Sequence, residues 1–291
     1  MTTDKTLLIY NPIAGSNKQT SFLSAYNTFR GDKSAFELIA TEYAGHAKII
    51  AKESVGKYKA IVAIGGDGTV NEVASSLVNT NTSMGIIPMG SGNGLARHLK
   101  IPLNIHQALE ALSSKQSQAI DVLKIGNKYS VNVSGVGFDG HIAALFSQSS
   151  SRGVLSYIKL SIHEYFKYQE FNFELNIPNQ KIEGKAFIIA LANASQFGNN
   201  VEIAKNANVQ DGKVNIIVIK RPPLYRLPEL FYDLQRGNTT QNSYCKEYIV
   251  AKASLSASSQ NYHLDGEPEL LIKNKQEVSI EVLENALQII Y

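Results

Sequence analysis

Residues 61–72, IVAIGGDGTVNE, run an apolar segment into three glycines and an aspartate, then into a helix-like pattern. In an open α/β sheet, ligands sit beyond the carboxyl ends of the strands. The free N–H groups and positive end of the next helix favour phosphate. Glycines let that backbone approach a polyphosphate without side-chain obstruction. Asp67 would then stand beside the phosphates, in reach of a divalent cation or a reacting hydroxyl. The plainer reading is a tight strand–helix turn with Asp67 as its N-terminal cap. Two further stretches argue against it. IIPMGSGNGLAR repeats the arrangement one strand later, with Gly90 to Gly94 ahead of a helix, and LIYNPIAGSNK sets Asn11, Pro12 and Gly15 after the first strand. Three such loops would share one edge of a parallel sheet. No G-x-x-x-x-G-K-[ST] occurs, which excludes the P-loop NTPases. GVGFDG, residues 135–140, matches G-x-G-x-x-G, but its surroundings are β-rich, so it reads as a turn or an inter-domain contact.

The elements that would position these loops alternate. TLLIY, SAFELIAT, KAIVAIGG and MGIIP read as strands, and QTSFLSAYNTFR, AGHAKIIAKESV and TVNEVASSLV as helices. This alternation implies a parallel sheet covered on both faces. Near Asp121 the rhythm changes to short strand-like segments bounded by Gly, Asn, Pro and Ser, with a turn at Gly126-Asn127. The expected fold is α/β plus all-β: an α/β domain over residues 1–121 and a β-rich domain over 122–282. Two helical stretches interrupt the second domain. VLSYIKLSIHEYFKY sets Leu155, Ile158, Ile162 and Tyr165 on one face, read as a core face ahead of a membrane contact. RPPLYRLPELFYDLQR is a shorter helical excursion.

The 291 residues are 44% hydrophobic and 18% charged, enough apolar material for real cores, and the net charge is only +3. No run of Lys or Arg points to nucleic acid. Cys245 is the single cysteine, so no intrachain disulfide forms, which fits a reducing compartment. The first residues, MTTDKTLLIYNP, carry too short an apolar run for a signal peptide, and no segment has the length of a membrane span. The expectation is a cytoplasmic protein. His141 and His163 lack metal-ligand spacing, and GSGNG lacks the spacing of a hydrolase nucleophile elbow.

Six motifs in this order resemble the diacylglycerol kinase catalytic family, which includes sphingosine and ceramide kinases and soluble bacterial lipid kinases. They are NPIAG, TEYAGHA, GGDGTVNEV, IPMGSGNGLAR, NVQDGKVNI and HLDGEPE. The resemblance implies a nucleotide domain like those of phosphofructokinases and NAD kinases, a β-sandwich lipid domain, ATP in the cleft between them, and a return of residues 283–291 to the first domain. It assigns ATP contacts to Asn11, Pro12, Ile13, Ala14, Gly15, Thr41, Gly65, Gly66, Asp67, Gly68, Thr69, Val70, Asn71, Glu72 and Ser91. Asp211 would join a magnesium network, with Asn208 and Lys213 contributing backbone carbonyls. Glu267 would be the general base and Asp67 would help arrange Mg2+ and phosphate, although in the sphingosine kinase branch the signature aspartate is itself regarded as the base. Arg97 and Asp121 match an ion network of the family. The chain departs from the family's pattern at Ser16, Gly94 and Gln210.

Phosphoryl transfer needs in-line positioning, charge neutralisation and an activated hydroxyl. The expected activity is therefore ATP- and Mg2+-dependent phosphorylation of a lipid hydroxyl, on a diacylglycerol or a sphingoid base. Contact with the membrane surface would be peripheral, during turnover, and a homodimer is left open. An NAD kinase-like enzyme and a catalytically weak nucleotide-binding regulator are the alternatives. Asp265 stands two residues before Glu267, so the two carboxylates share a side in a strand but need not at a turn.

Overall fold

The computed structural model describes residues 3–15, 18–29, 31–114, 116–149, 154–239, 241–269 and 277–291; Ser16 and the side chains of Lys18 and Leu155 lie outside that description. The chain forms two compact units, Met1–Val122 with Glu284–Tyr291, and Leu123–Leu283.

In the first unit, strands and helices alternate as Thr3–Tyr10 (β1), Lys18–Thr28 (α1), Phe36–Ala40 (β2), His46–Ser54 (α2), Tyr58–Gly65 (β3), Asp67–Leu77 (α3), Ser83–Pro88 (β4), Gly94–His98 (α4), Ile105–Ser114 (α5) and Ser117–Ile125 (β5). The sheet order is β2-β1-β3-β4, all parallel, and Ile289 near the C-terminus pairs with Met84 of β4. Because these strands are parallel, β1, β3 and β4 all end on one edge. Leu7, Leu8, Ile9, Ile61, Val62, Ala63 and Ile64 are each fully buried, as expected of strands with helices over both faces. One face packs Leu8, Tyr10, Val62 and Ile64 against Phe22, Ala25, Ala108 and Leu109 of α1 and α5. Both α2 and α3 bury an apolar stripe, Ala47, Ile50 and Ala51 on one and Val70, Val73, Ala74 and Leu77 on the other. Asp121 is 1% exposed, and its Oδ1 accepts the N–H of Asn285, which sits at φ 52. It is a buried strand residue.

The second unit continues with Lys128–Ser130 (β6), Val133–Gly137 (β7), Phe138–Gln148 (α6), Val154–Tyr165 (α7), Phe171–Ile177 (β8), Gln180–Ala186 (β9), Ile188–Ala192 (β10), Gln196–Gly198 (β11), Val201–Glu202 (β12), Val214–Ile219 (β13), Leu227–Arg236 (α8), Cys245–Val250 (β14), Lys252–Ala257 (β15), Tyr262–Leu264 (β16), Glu267–Glu269 (β17) and Val278–Ile290 (β18). A six-stranded sheet runs β14-β13-β10-β7-β16-β17. Across from it, β18 from Val278 to Glu281 continues through β15 and β8 to β9, with antiparallel pairing throughout. Val136, Ile189, Leu191, Val214 and Ile216 of the first layer meet Leu123, Phe173, Leu175, Leu255 and Ile280 of the second in one core. This is sheet-on-sheet packing.

The outer face of the six-stranded sheet packs on Leu230 and Leu234 of α8, and a separate aromatic cluster joins Phe138, Tyr165 and Phe187. The core reading of the α7 face is corrected here: Tyr165 is buried, but Ile158 is 46% and Ile162 55% exposed. GVGFDG is a strand end leading into α6, so the turn reading is corrected as well. His141 Nε2 lies 3.0 Å from Oε2 of Glu164, and Lys167 Nζ 2.9 Å from Oε1. These two contacts hold the Glu164 carboxyl below its ordinary range, His141 more than Lys167.

Cys245 is 3% exposed, and burial pushes its thiol up to about 12. An aromatic disulfide reagent at about pH 8 should therefore leave the native protein unlabelled and react with one thiol after denaturation. Rapid labelling of the folded chain would contradict this placement.

Candidate functional site

The edge where β1, β3 and β4 end carries the three glycine-bearing loops. After β1, the Asn11 N–H donates to Ile64 O at 2.9 Å, and Asn11 Oδ1 accepts the N–H of Ile13 at 3.1 Å. Asn11 Nδ2 reaches the Thr69 hydroxyl at 3.1 Å, which ties the first loop to the first turn of α3. Ile13 is 88% exposed at the loop's tip, between half-buried Pro12 and Ala14, and Gly15 follows at φ 67. Thr41, after β2, is buried and donates its N–H to Tyr10 O at 2.8 Å.

The second and third loops touch backbone to backbone. A Cβ on Gly90 would lie 2.6 Å from the Cα of Gly66, so no side chain fits there. Met89 N–H and Gly90 N–H both donate to Gly65 O, at 2.8 and 3.2 Å. Gly66 is the N-cap of α3 and has no side chain to bond the first-turn amides of Asp67, Gly68 and Thr69. A helix N-terminus without a side-chain cap carries partial positive charge, which suits a phosphate.

Asp67 does not cap its own helix. Its Oδ2 accepts the N–H of Asn93 at 2.9 Å and its Oδ1 that of Gly94 at 2.8 Å, so it caps α4. Asn93 holds φ 53, and its Nδ2 donates to Gly90 O at 2.8 Å. Glu72 plays the same part for α2: its carboxylate accepts Gly45 N–H at 2.9 Å and Lys48 N–H at 3.3 Å. The two acidic residues of α3 thus hold the neighbouring helices, and Asn71 receives the Ser75 hydroxyl at 3.3 Å. Ser91 is exposed. His46 stacks on Tyr43 at 4.5 Å and accepts the Glu42 N–H on Nδ1, so it packs and caps locally.

Two further motifs lie in the second unit. In NVQDGK, Asn208 and Asp211 each accept a backbone N–H two residues on, from Gln210 at 3.1 Å and Lys213 at 3.0 Å. Asn208, Asp211 and Lys213 are exposed, and no group of three or more His, Cys, Asp or Glu side chains placed to hold a metal ion is found among the described residues. In HLDGEPE, β16 and β17 pair Leu264 with Glu267 across the two-residue turn Asp265-Gly266, at φ 49 and 90. Positive φ at both positions is the geometry of a tight hairpin with the strands' own twist. Asp265 and Glu267 part company there. Asp265 is 3% exposed and accepts the Ser130 hydroxyl at 2.6 Å and the N–H groups of Val131 and Asn132 at 3.0 Å each, whereas Glu267 is exposed. Sequence reasoning did not single out the bonds that Asp67, Glu72 and Asp265 make to distant amides; Asp67 and Asp265 stand directly beside glycines, and Glu72 four residues after one.

The comparisons agree with this architecture. The diacylglycerol kinase catalytic domain matches residues 5–125, and the YegS C-terminal NAD kinase beta sandwich-like domain matches 132–291, more than half of the chain. A "probable lipid kinase YegS-like" of Yersinia enterocolitica is 29% identical over 97% of this chain and 95% of its own length. A protein of the same name from Pectobacterium atrosepticum is 28% identical over 90% of this chain and 89% of its own. The solved structure of a diacylglycerol kinase from Bacillus anthracis superposes with TM-score 0.74 at 20% identity, covering 99% of this chain and 97% of that one. An NAD kinase from Archaeoglobus fulgidus in complex with ATP shares the fold at TM-score 0.54 and 12% identity, over 98% of this chain and 93% of that one. The chain belongs to the diacylglycerol kinase catalytic family, with the YegS-type C-terminal domain.

Because Asp67 bonds two amides, Asp67→Ala should destabilise the nucleotide-free protein by about 1.5–3 kcal/mol in urea denaturation. Unchanged or raised stability would mean that those bonds contribute nothing to the fold.

Proposed function

We propose that this member of the diacylglycerol kinase catalytic family is a lipid kinase that transfers the γ-phosphate of ATP to a lipid hydroxyl, on a diacylglycerol or a sphingoid base. The observation that carries the reading is the uncapped N-terminus of α3, flanked on one sheet edge by loops 11–15 and 89–94 in backbone contact with it or bonded to it. In this reading the α3 amides and the loops Asn11–Gly15 and Gly65–Glu72 hold the phosphates, with Thr41 and Ser91 at the margins. Asp67 acts by keeping the third loop in place for the nucleotide.

Glu267 is the proposed general base. It takes the proton of the lipid hydroxyl as the oxygen bonds to the γ-phosphorus, and the bond to the bridging oxygen breaks to release ADP. Asp211 and the carbonyls of Asn208 and Lys213 would hold Mg2+. They are an exposed set of hard oxygens with one carboxylate, which fits a cation that keeps waters and arrives with phosphate. When bound, that ion would neutralise phosphate charge.

Peripheral membrane contact is supported by apolar side chains that stand in solvent. Ile158 and Ile162 of α7 are 46% and 55% exposed, Phe166 just past its end is 59% exposed, and Tyr225, just before α8, is 77% exposed. Ile158 and Ile162 stand four residues apart on one face of α7, as on a helix that lies in a lipid interface. No helix among the described residues is long and apolar enough to cross a membrane.

Purified protein with labelled ATP and Mg2+ should phosphorylate diacylglycerol or sphingosine in mixed micelles and leave NAD unlabelled. Glu267→Gln should lower kcat by about 100-fold or more while keeping nucleotide affinity. Transfer to NAD and to neither lipid would sink the reading, and full activity in Glu267→Gln would remove the base assignment.

A further inference from the structure

The second unit holds a buried acid–imidazole pair that the reaction above leaves unused. The side chains of His263 and Asp139 are 2% and 9% exposed, and His263 Nε2 lies 2.9 Å from Asp139 Oδ2. On the other side of the ring, Nδ1 lies 3.2 Å from the backbone nitrogen of Gly266, which donates to it. A ring nitrogen that accepts carries no proton, so the proton sits on Nε2 and is donated to Asp139. The carboxylate therefore fixes both the tautomer and the direction of the imidazole.

The surroundings are shaped for this pair. A Cβ on Gly135, in β7, would lie 2.7 Å from Asp139 Oδ2 and 3.2 Å from His263 Nε2. Asp139 enters from the first turn of α6 and His263 from β16, so three elements converge on one contact. The turn it serves already has another anchor. Asp265 holds residues 130–132 through three donors, and its own N–H donates to the Ser134 hydroxyl at 3.2 Å. That network fixes the first turn residue. His263 fixes the second, Gly266, the residue directly before Glu267. A buried ionisable pair costs desolvation that an apolar pair avoids; what it provides here is a directed acceptor for one backbone N–H.

We propose that Asp139 and His263 are positioning residues for Glu267: Asp139 holds the imidazole so that Nδ1 bonds Gly266 N–H, and that bond sets the turn that presents the base. The proposal rests on the assignment of Glu267 made above. His263 does not touch the reacting atoms and moves no proton in the reaction.

The two ends of the imidazole can be tested apart. In His263→Asn, Oδ1 can accept from Gly266 N–H in place of Nδ1 but cannot reach Asp139. In His263→Gln, the amide reaches toward Asp139 and leaves Gly266 without its acceptor. With full-length protein, ATP, and diacylglycerol or sphingosine micelles, His263→Gln should lose about 10- to 100-fold in kcat at unchanged KM for ATP. His263→Asn should stay within about threefold of wild type. Adding His263→Gln to Glu267→Gln should cause no further loss, because both act through one group. Nitrogen-15 spectra of the wild-type protein should show the Nε2–H tautomer for His263, a readout that needs no variant to fold.

Wild-type kcat in His263→Gln, equal losses in both variants, a multiplicative loss in the double variant, or an Nδ1–H tautomer would each overturn the proposal. No lipid phosphorylation by wild type, or full activity in Glu267→Gln, would instead overturn the reading beneath it, and this inference with it.

Discussion

The backbone of Gly66 lies against the backbone of Gly90, and the arrangement of the loops on the first unit's sheet edge depends on that contact. Its consequence is that two strand–helix junctions share one space, with no side chain from either between them. The amides of Met89 and Gly90 then meet Gly65 O, and Asp67 is brought to the start of α4. Helix N-termini attract negative charge. Here the carboxylates of α3 serve the N-termini of α2 and α4, through Glu72 and Asp67, while α3 itself begins at a glycine with no side-chain cap. The helix start without a side-chain cap is thus the one beside the glycines.

The second unit solves a different problem. A two-residue turn with both residues at positive φ needs partners that hold its backbone. The chain anchors it from below. Asp265, adjacent in sequence to the turn's tip, is withdrawn into a closed set of hydrogen bonds with Ser130, Val131, Asn132 and Ser134. His263 bonds the other turn residue. Glu267 stays at the surface. Two carboxylates separated by one glycine therefore have opposite environments, because the turn rotates one inward and leaves the other outward.

Much of the first unit was legible in the sequence. Continuous apolar runs such as IVAI and LLIY read as strands covered on both faces, and their alternation with helical patterns implied the parallel sheet. The second unit was legible as β-rich, but α6 was not. Its glycines and Asp139 resembled a turn, and only packing shows that Gly135 makes room for a hydrogen-bonded acid–imidazole pair between α6 and β16. The stripe of α7 misled for a related reason. Helical periodicity reports that Ile158 and Ile162 share a face, but not whether anything lies against that face.

The amino-acid sequence by itself determined the two unit types, the three loops at strand ends, and the family motifs, because these follow from local periodicity and from residue types at short spacing. Only the tertiary structure decided what each carboxylate does. Asp67, Glu72, Asp121 and Asp265 bond backbone amides 26, 27, 164 and 134 residues away. Such partners are set by how strands and helices assemble, and no local pattern encodes them. Asp67, read at first as a group waiting for a ligand, is the clearest case: the fold employs its carboxylate before any nucleotide arrives.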